Sequence, residues 1–147
     1  MSTFQIQKDG NKVILKGVLD EKADLSVLNG LQTGTVICFK EITRINSCGV
    51  REWVNLLKRH PGTQLTYTEC PIIIVKQLNT VPDFLGTSQV ESFFAPYFSE
   101  ATEKEILLLL QSKEVIGETP PVRNTDAGIP LKFDAIPKQY FRFLSRK

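Results

Sequence analysis

The chain is poor in the groups from which metal sites, disulfide frameworks and hydrolytic triads are built. Its 147 residues include 3 cysteines, 1 histidine, 1 tryptophan and 1 methionine. Cys38, Cys48 and Cys70 are too few and too scattered for a disulfide framework. With His60 they form no paired C-x-x-C pattern that zinc could use. A single histidine offers a Ser-His-Asp arrangement one base, far from any nucleophile elbow. Neither the dinucleotide nor the Walker type of glycine-rich phosphate loop is present. The sequence therefore points to no cofactor, no metal and no enzymatic reaction. No apolar run approaches the ~20 residues that cross a bilayer. Met1-Ser2-Thr3-Phe4-Gln5 lacks the basic region and apolar core of a signal peptide. The expectation is a cytoplasmic protein without membrane insertion. A net charge of +2 carries no footprint of nucleic-acid binding.

What is there is the composition of a folded domain, 41% hydrophobic and 23% charged, with length for one core and a modest extension. We divide it into residues 1–98 and an extension, 99–147. Residues 1–98 carry 10 basic and 9 acidic side chains, 99–118 carry 2 and 5, and 119–147 carry 6 and 2. Pairing of the acidic segment with the basic tail is the expected use of that asymmetry. The alternative is that the tail tip, Arg142, Arg146 and Lys147, meets an acidic partner.

Phe4 to Gln7 and Val13 to Val18 read as strands joined at Asp9-Gly10-Asn11, a strong hairpin signal. Lys22 to Leu28 reads as a short helix capped by Asp20 and ended by Asn29-Gly30. Thr35 to Phe39 is β-branched and aromatic, as in a strand covered on both faces. Gln64 to Thr68 is a further strand. Ile72 to Asn79 has the β propensity of four branched residues, but Pro71 ahead of it favours a helix, which we choose. Pro82-Asp83-Phe84-Leu85-Gly86 reads as a turn that leaves Phe84 partly exposed. Val90 to Phe98 is the last strand of the main domain. The arrangement is α/β, a small mixed sheet with helices on one face.

The stretch Arg44-Ile45-Asn46-Ser47-Cys48-Gly49-Val50-Arg51-Glu52-Trp53 lies between the apolar strand and an amphipathic helix, Cys48 to Arg59. Val50, Trp53, Val54 and Leu57 recur at i, i+3, i+4 and i+7 and give that helix one apolar face. Asn46 or Ser47 can cap it, and Gly49 leaves the first turn open to close approach by another surface. His60-Pro61-Gly62 ends it, with His60 placed to meet free carbonyls. A phosphate on Ser47 would sit at the positive end of the helix dipole.

Asn46-Ser47-Cys48-Gly49-Val50 resembles the signature loop of the STAS family, the anti-sigma-factor-antagonist-like domains, whose pattern is roughly Asp-Ser/Thr-x-Gly-Leu/Val. The order of hairpin, helix, strand, signature, long helix, strand, helix and last strand is similar over about two-thirds of the chain. Asn46 stands where that pattern has an acid. The resemblance implies a bacterial signalling module that docks a protein partner, an anti-sigma or related serine kinase or another STAS protein. It also implies a serine at position 47 that accepts phosphate, with about −2 charges then breaking the docking. The candidate surface is Asn46, Ser47, Cys48, Gly49 and Val50, with Arg44, Arg51 and Glu52 shaping its charge.

Thr102 to Ser112 holds the run Ile106-Leu107-Leu108-Leu109-Leu110, which we read as a helix that something must cover. Gly117 to Pro121 is a loop, and Pro137 starts a short helix anchored by Tyr140, Phe141, Phe143 and Leu144. This extension is similar to a zinc-ribbon-like appendage of some STAS-like proteins. Ser99, Thr102, Asn124 and Ala127 stand at the places of its cysteines, so the ribbon is one without its metal. Two other readings stay open. One is an assembly subunit forming a permanent homo-oligomer through Leu107 to Leu110 and the aromatic tail. The other is a sensor of a small ligand beside the signature loop.

Overall fold

The computed structural model describes residues 4–145; Arg146 and Lys147, invoked above for the tail tip, lie outside them. The fold is mixed α/β. Strands β1 (Phe4–Asp9) and β2 (Lys12–Leu19) pair antiparallel from Phe4↔Gly17 to Asp9↔Lys12, so Gly10 and Asn11 alone make the turn. Gly10 has φ +62°, the left-handed conformation this tight turn requires. Strand β3 (Val36–Ile45) is ten residues long, further than its apolar core suggests, and runs parallel to β2. Helix α1 (Ser47–Lys58) leads to β4 (Thr66–Thr68). Helices α2 (Ile72–Thr80) and α3 (Pro82–Leu85) lead to β5 (Gln89–Val90). The first sheet has the order β1-β2-β3-β4-β5, all parallel after the hairpin.

The helix expected over Lys22 to Leu28 shrinks to one 3-10 turn, Ser26–Leu28. Two aspartates account for this. Asp20 accepts from the Lys22 N–H and Asp24 from the Ser26 N–H, each at 2.9 Å, so side chains take donors that a helix would have used. Pro82 to Leu85 is a helical turn rather than an open one, and Phe84 is fully buried, not partly exposed. It sits in a cluster with Phe39 of β3, Trp53 of α1 and Tyr67 of β4, ring centroids 5.1 to 6.3 Å apart. The Trp53 indole donates to the Tyr67 hydroxyl at 3.0 Å, which donates to the Phe84 carbonyl at 2.7 Å. Each polar atom that the cluster buries thus has a partner, and Trp53 is a core anchor rather than a contact surface.

The strand expected from Val90 to Phe98 is broken at Glu91. Past the break, β6 (Ser92–Ser99) belongs to a second, antiparallel sheet. Its neighbours are β7 (Lys104–Gln111) and the two-residue β8 (Lys132–Phe133), in the order β7-β6-β8. The leucine run is therefore a strand, not a helix. Its pairs with β6 run unbroken from Ser92↔Gln111 to Ser99↔Lys104, and Glu103, with φ +55°, turns the chain between them. A bridge between Cys70 and Phe93 joins the two sheets. The tail forms α4 (Pro137–Tyr140) and a last 3-10 turn, as Pro137 suggests. Phe141 and Phe143 are buried in the same core as the first sheet's residues, while Tyr140 and Leu144 are half-buried against it.

The acidic segment does meet the basic tail. Arg123 bonds Glu114 at 2.6 Å and Lys132 bonds Glu100. Glu114 also accepts the Gln111 N–H at 2.8 Å, and that bond, ahead of Arg123, holds its carboxyl below the usual range. A carboxyl lowered by folding stabilises above its unfolded pKa, and that support fades as pH falls through the folded value. As pH falls through and below the ordinary carboxyl range, the protection factor of the Gln111 amide, its exchange relative to the intrinsic rate at the same pH, should therefore fall. Glu114→Gln should remove that pH dependence; an identical profile would exclude the Glu114 clasp.

Candidate functional site

The site is built where β3 ends and α1 begins. Asn46 is the cap, in an extended conformation, and its Oδ1 accepts the Gly49 N–H at 2.8 Å. Such a cap stabilises by about 1 kcal/mol. Ser47 is the first helical residue and does not cap. Asn46 uses its other amide atom as well, donating from Nδ2 to Glu21 at 3.0 Å, and this bond lowers the Glu21 carboxyl below its usual range. A carboxylate thus reaches the loop from Glu21, next to the position where the motif's acid would stand. An aspartate at 46 would instead set two carboxylates against each other.

Among the candidate surface residues, Asn46, Ser47, Arg44, Arg51 and Glu52 are exposed and Cys48 is half-buried. Gly49 and Val50 are buried and are not available to a partner. Gly49 meets a close approach, but from its own chain. A Cβ there would lie 2.0 Å from the carbonyl oxygen of Leu19, which also accepts the Asn46 N–H at 3.2 Å. Val50, Trp53 and Leu56 carry the buried face of α1, with Val54 and Leu57 half-buried, so the helix is rotated slightly from its expected stripe. The reachable surface narrows to Arg44, Asn46, Ser47, Cys48, Arg51 and Glu52. Glu21, which sequence reasoning missed, joins them, and only its place in the loop before the first turn could have signalled it.

His60 meets a free carbonyl, as its position at the end of α1 suggests. Its Nδ1 lies 2.9 Å from the Leu56 oxygen, while Nε2 accepts the Gly30 N–H at 2.9 Å. It fastens the 29–32 loop to α1 and has no ring nitrogen left for chemistry. Cys38 and Cys70 are buried, and desolvation pushes both thiols up, away from the reactive thiolate. Among the described residues, no group of three or more His, Cys, Asp or Glu is gathered as metal ligands. Nor is any helix long and apolar enough to cross a membrane. A groove on α1, lined by Val54, Leu57, Lys58, His60 and Asp83, lies at the end of the helix away from Ser47. No family model, curated protein or solved structure matches the chain.

Proposed function

We propose that this chain is a regulatory protein-interaction module of the STAS type, acting by binding rather than catalysis. It docks its partner through Asn46, Ser47 and the exposed start of α1. The observation that carries this reading is the Ser47 hydroxyl, exposed on the first residue of a twelve-residue helix whose cap is already supplied by Asn46. Ser47 is thereby free of structural duty. Phosphorylation at Ser47 would place its charge at the positive dipole end of α1, with Arg44 and Arg51 nearby in sequence. By the family resemblance the partner is an anti-sigma or related serine kinase, or another STAS protein. The order of elements along the first sheet, hairpin, strand, loop, helix, strand, helix, strand, supports that resemblance.

For the metal-free ribbon the support is the two turns alone, because the leucine run between them is strand β7 and not the leucine-rich helix of that appendage. Ser99 and Thr102 sit at the β6–β7 turn, where the Thr102 N–H is 3.4 Å from the Ser99 hydroxyl. Asn124 to Gly128 makes a second turn, in which the Gly128 N–H bonds the Thr125 oxygen at 2.8 Å and Asn124 bridges Pro130. Hydrogen bonds close both turns where a ribbon would use metal.

The test is recovery of partners from a bacterial cytoplasm by the intact protein, with phosphosite mass spectrometry and with Ser47→Asp and Ser47→Ala alongside. Ser47→Ala should keep the partner and Ser47→Asp should weaken binding at least tenfold. Equal binding by both variants would exclude a Ser47 switch.

A further inference from the structure

Four strands border the two sheets, and three of them are guarded against pairing with another chain. Strand β1 carries Gln5, Gln7, Lys8 and Asp9, while β5 and β8 are two residues each. Strand β7 is different. It is eight residues long, apolar from Ile106 to Leu110, free of proline and unbroken by any bulge in its register with β6. Its charges, Lys104 and Glu105, are confined to one end, so the usual protections of a sheet edge are missing from the Ile106 to Leu110 stretch.

The hydrogen bonds of β6 determine which backbone groups of β7 face outward. Ser92 and Phe94 direct theirs to Cys70, on the side away from β7. Phe93 therefore bonds Leu110, and alternation makes the same of Ala95 with Leu108 and Tyr97 with Ile106. The N–H and C=O groups of Glu105, Leu107 and Leu109 are left pointing away from the sheet. The Gln111 N–H, next in this row, is taken by Glu114. Leu107 and Leu109 are 52% and 38% exposed, on the same face as half-buried Phe94 and Phe98.

We propose that this edge is a self-association surface, on which a second copy of the chain adds its own β7 antiparallel about a two-fold axis at Leu108. The strand is complementary to itself in that register. Leu107 of each copy lies opposite Leu109 of the other, and the outward backbone groups of both residues exchange about four hydrogen bonds across the axis. Within β7, Glu105 falls opposite Gln111, so no like charges meet along the paired stretch. The two three-stranded sheets become one continuous six-stranded sheet, with the leucines and phenylalanines of its outer face in one apolar strip. Register, burial and charge all agree on a second copy as the occupant. The surface lies on the second sheet and is independent of the Ser47 reading.

The experiment is sedimentation and light scattering of the full chain from about 1 µM to about 1 mM. Its mass should rise from the 16.6 kDa of one chain to twice that. A Leu107→Lys/Leu109→Lys variant should stay at 16.6 kDa with unchanged circular dichroism, because lysines then face lysines across the axis. A Leu107→Glu/Leu109→Glu variant should also stay monomeric alone and form a heterodimer when mixed with the lysine variant. In the unaltered protein, amide exchange at Glu105, Leu107 and Leu109 should slow at least tenfold on concentration, a readout that needs no variant. A mass of one chain throughout, a lysine variant that still dimerises, or exchange independent of concentration overturns the proposal.

Discussion

Gly49→Ala should lower the melting temperature by roughly 10 °C, corresponding to about 3 kcal/mol for a chain of this length. The added methyl would lie 2.0 Å from the Leu19 oxygen and 2.6 Å from its carbonyl carbon. Both are backbone atoms of a strand paired on each side, so neither can move aside as a flexible side chain would. The helix must retreat instead. That loosens the Asn46 cap, whose bond to Gly49 is 2.8 Å, and lifts Val50 and Trp53 from the core. Cys48→Ala, one residue earlier and only half-buried, should cost less than about 1 kcal/mol. Thermal melts of the two variants decide the matter: a loss of under about 2 °C for Gly49→Ala would mean α1 does not start against β2. The glycine of the loop is thus explained by the fold's own backbone rather than by a visiting surface.

Phe143→Ala should cost about 3 to 5 kcal/mol, as large a loss as any single truncation in the first sheet. Phe143 is 1% exposed and meets Phe93 edge-to-face at 5.1 Å and 89°. Phe93 also packs on Tyr140 and Phe141, and Phe141 stacks on Phe133 at 5.1 Å. Removing the ring leaves a void lined by side chains that belong to β6 and the tail, and one connected core feels it. Urea unfolding followed by tryptophan fluorescence reads the effect. Trp53 is in the first sheet's cluster, so a shifted midpoint seen there means that tail and first sheet unfold together. A Trp53 transition unchanged by Phe143→Ala would show instead that the tail unfolds by itself.

The hairpin and the two longer helices were legible because local chemistry and packing agree there. Asp9-Gly10 suits the turn, Asn46 caps α1, and Pro71 opens α2 although four branched residues follow it. The leucine run was not legible. Leucine favours helices, and five apolar residues in a row hide the alternation that marks a strand. What settles its form is β6, whose eight pairs with β7 were invisible along the sequence. Phe84 misled for a similar reason: the rings of Phe39, Trp53 and Tyr67, all distant in sequence, give its helical turn a place to be buried. At the site, the motif placed the serine at the start of the helix but left its cap open between Asn46 and Ser47, which the Asn46 bond to Gly49 decides. Glu21 was not, since its bond to Asn46 spans 25 positions of chain.

Asn79 on α2 grips the tail through both ends of its side-chain amide, donating to the Tyr140 oxygen and accepting the Phe143 N–H, each at 2.9 Å. These contacts join residues 61 and 64 positions apart. During synthesis, α2 leaves the ribosome long before the segment that closes over it. The first sheet can assemble in that interval, at translation rates of about 5 to 20 residues per second. The surface of α2 around Asn79 stays bare until the closing aromatic residues emerge. A chain cut short before Tyr140 would leave that surface of α2 without either bond from the segment that covers it.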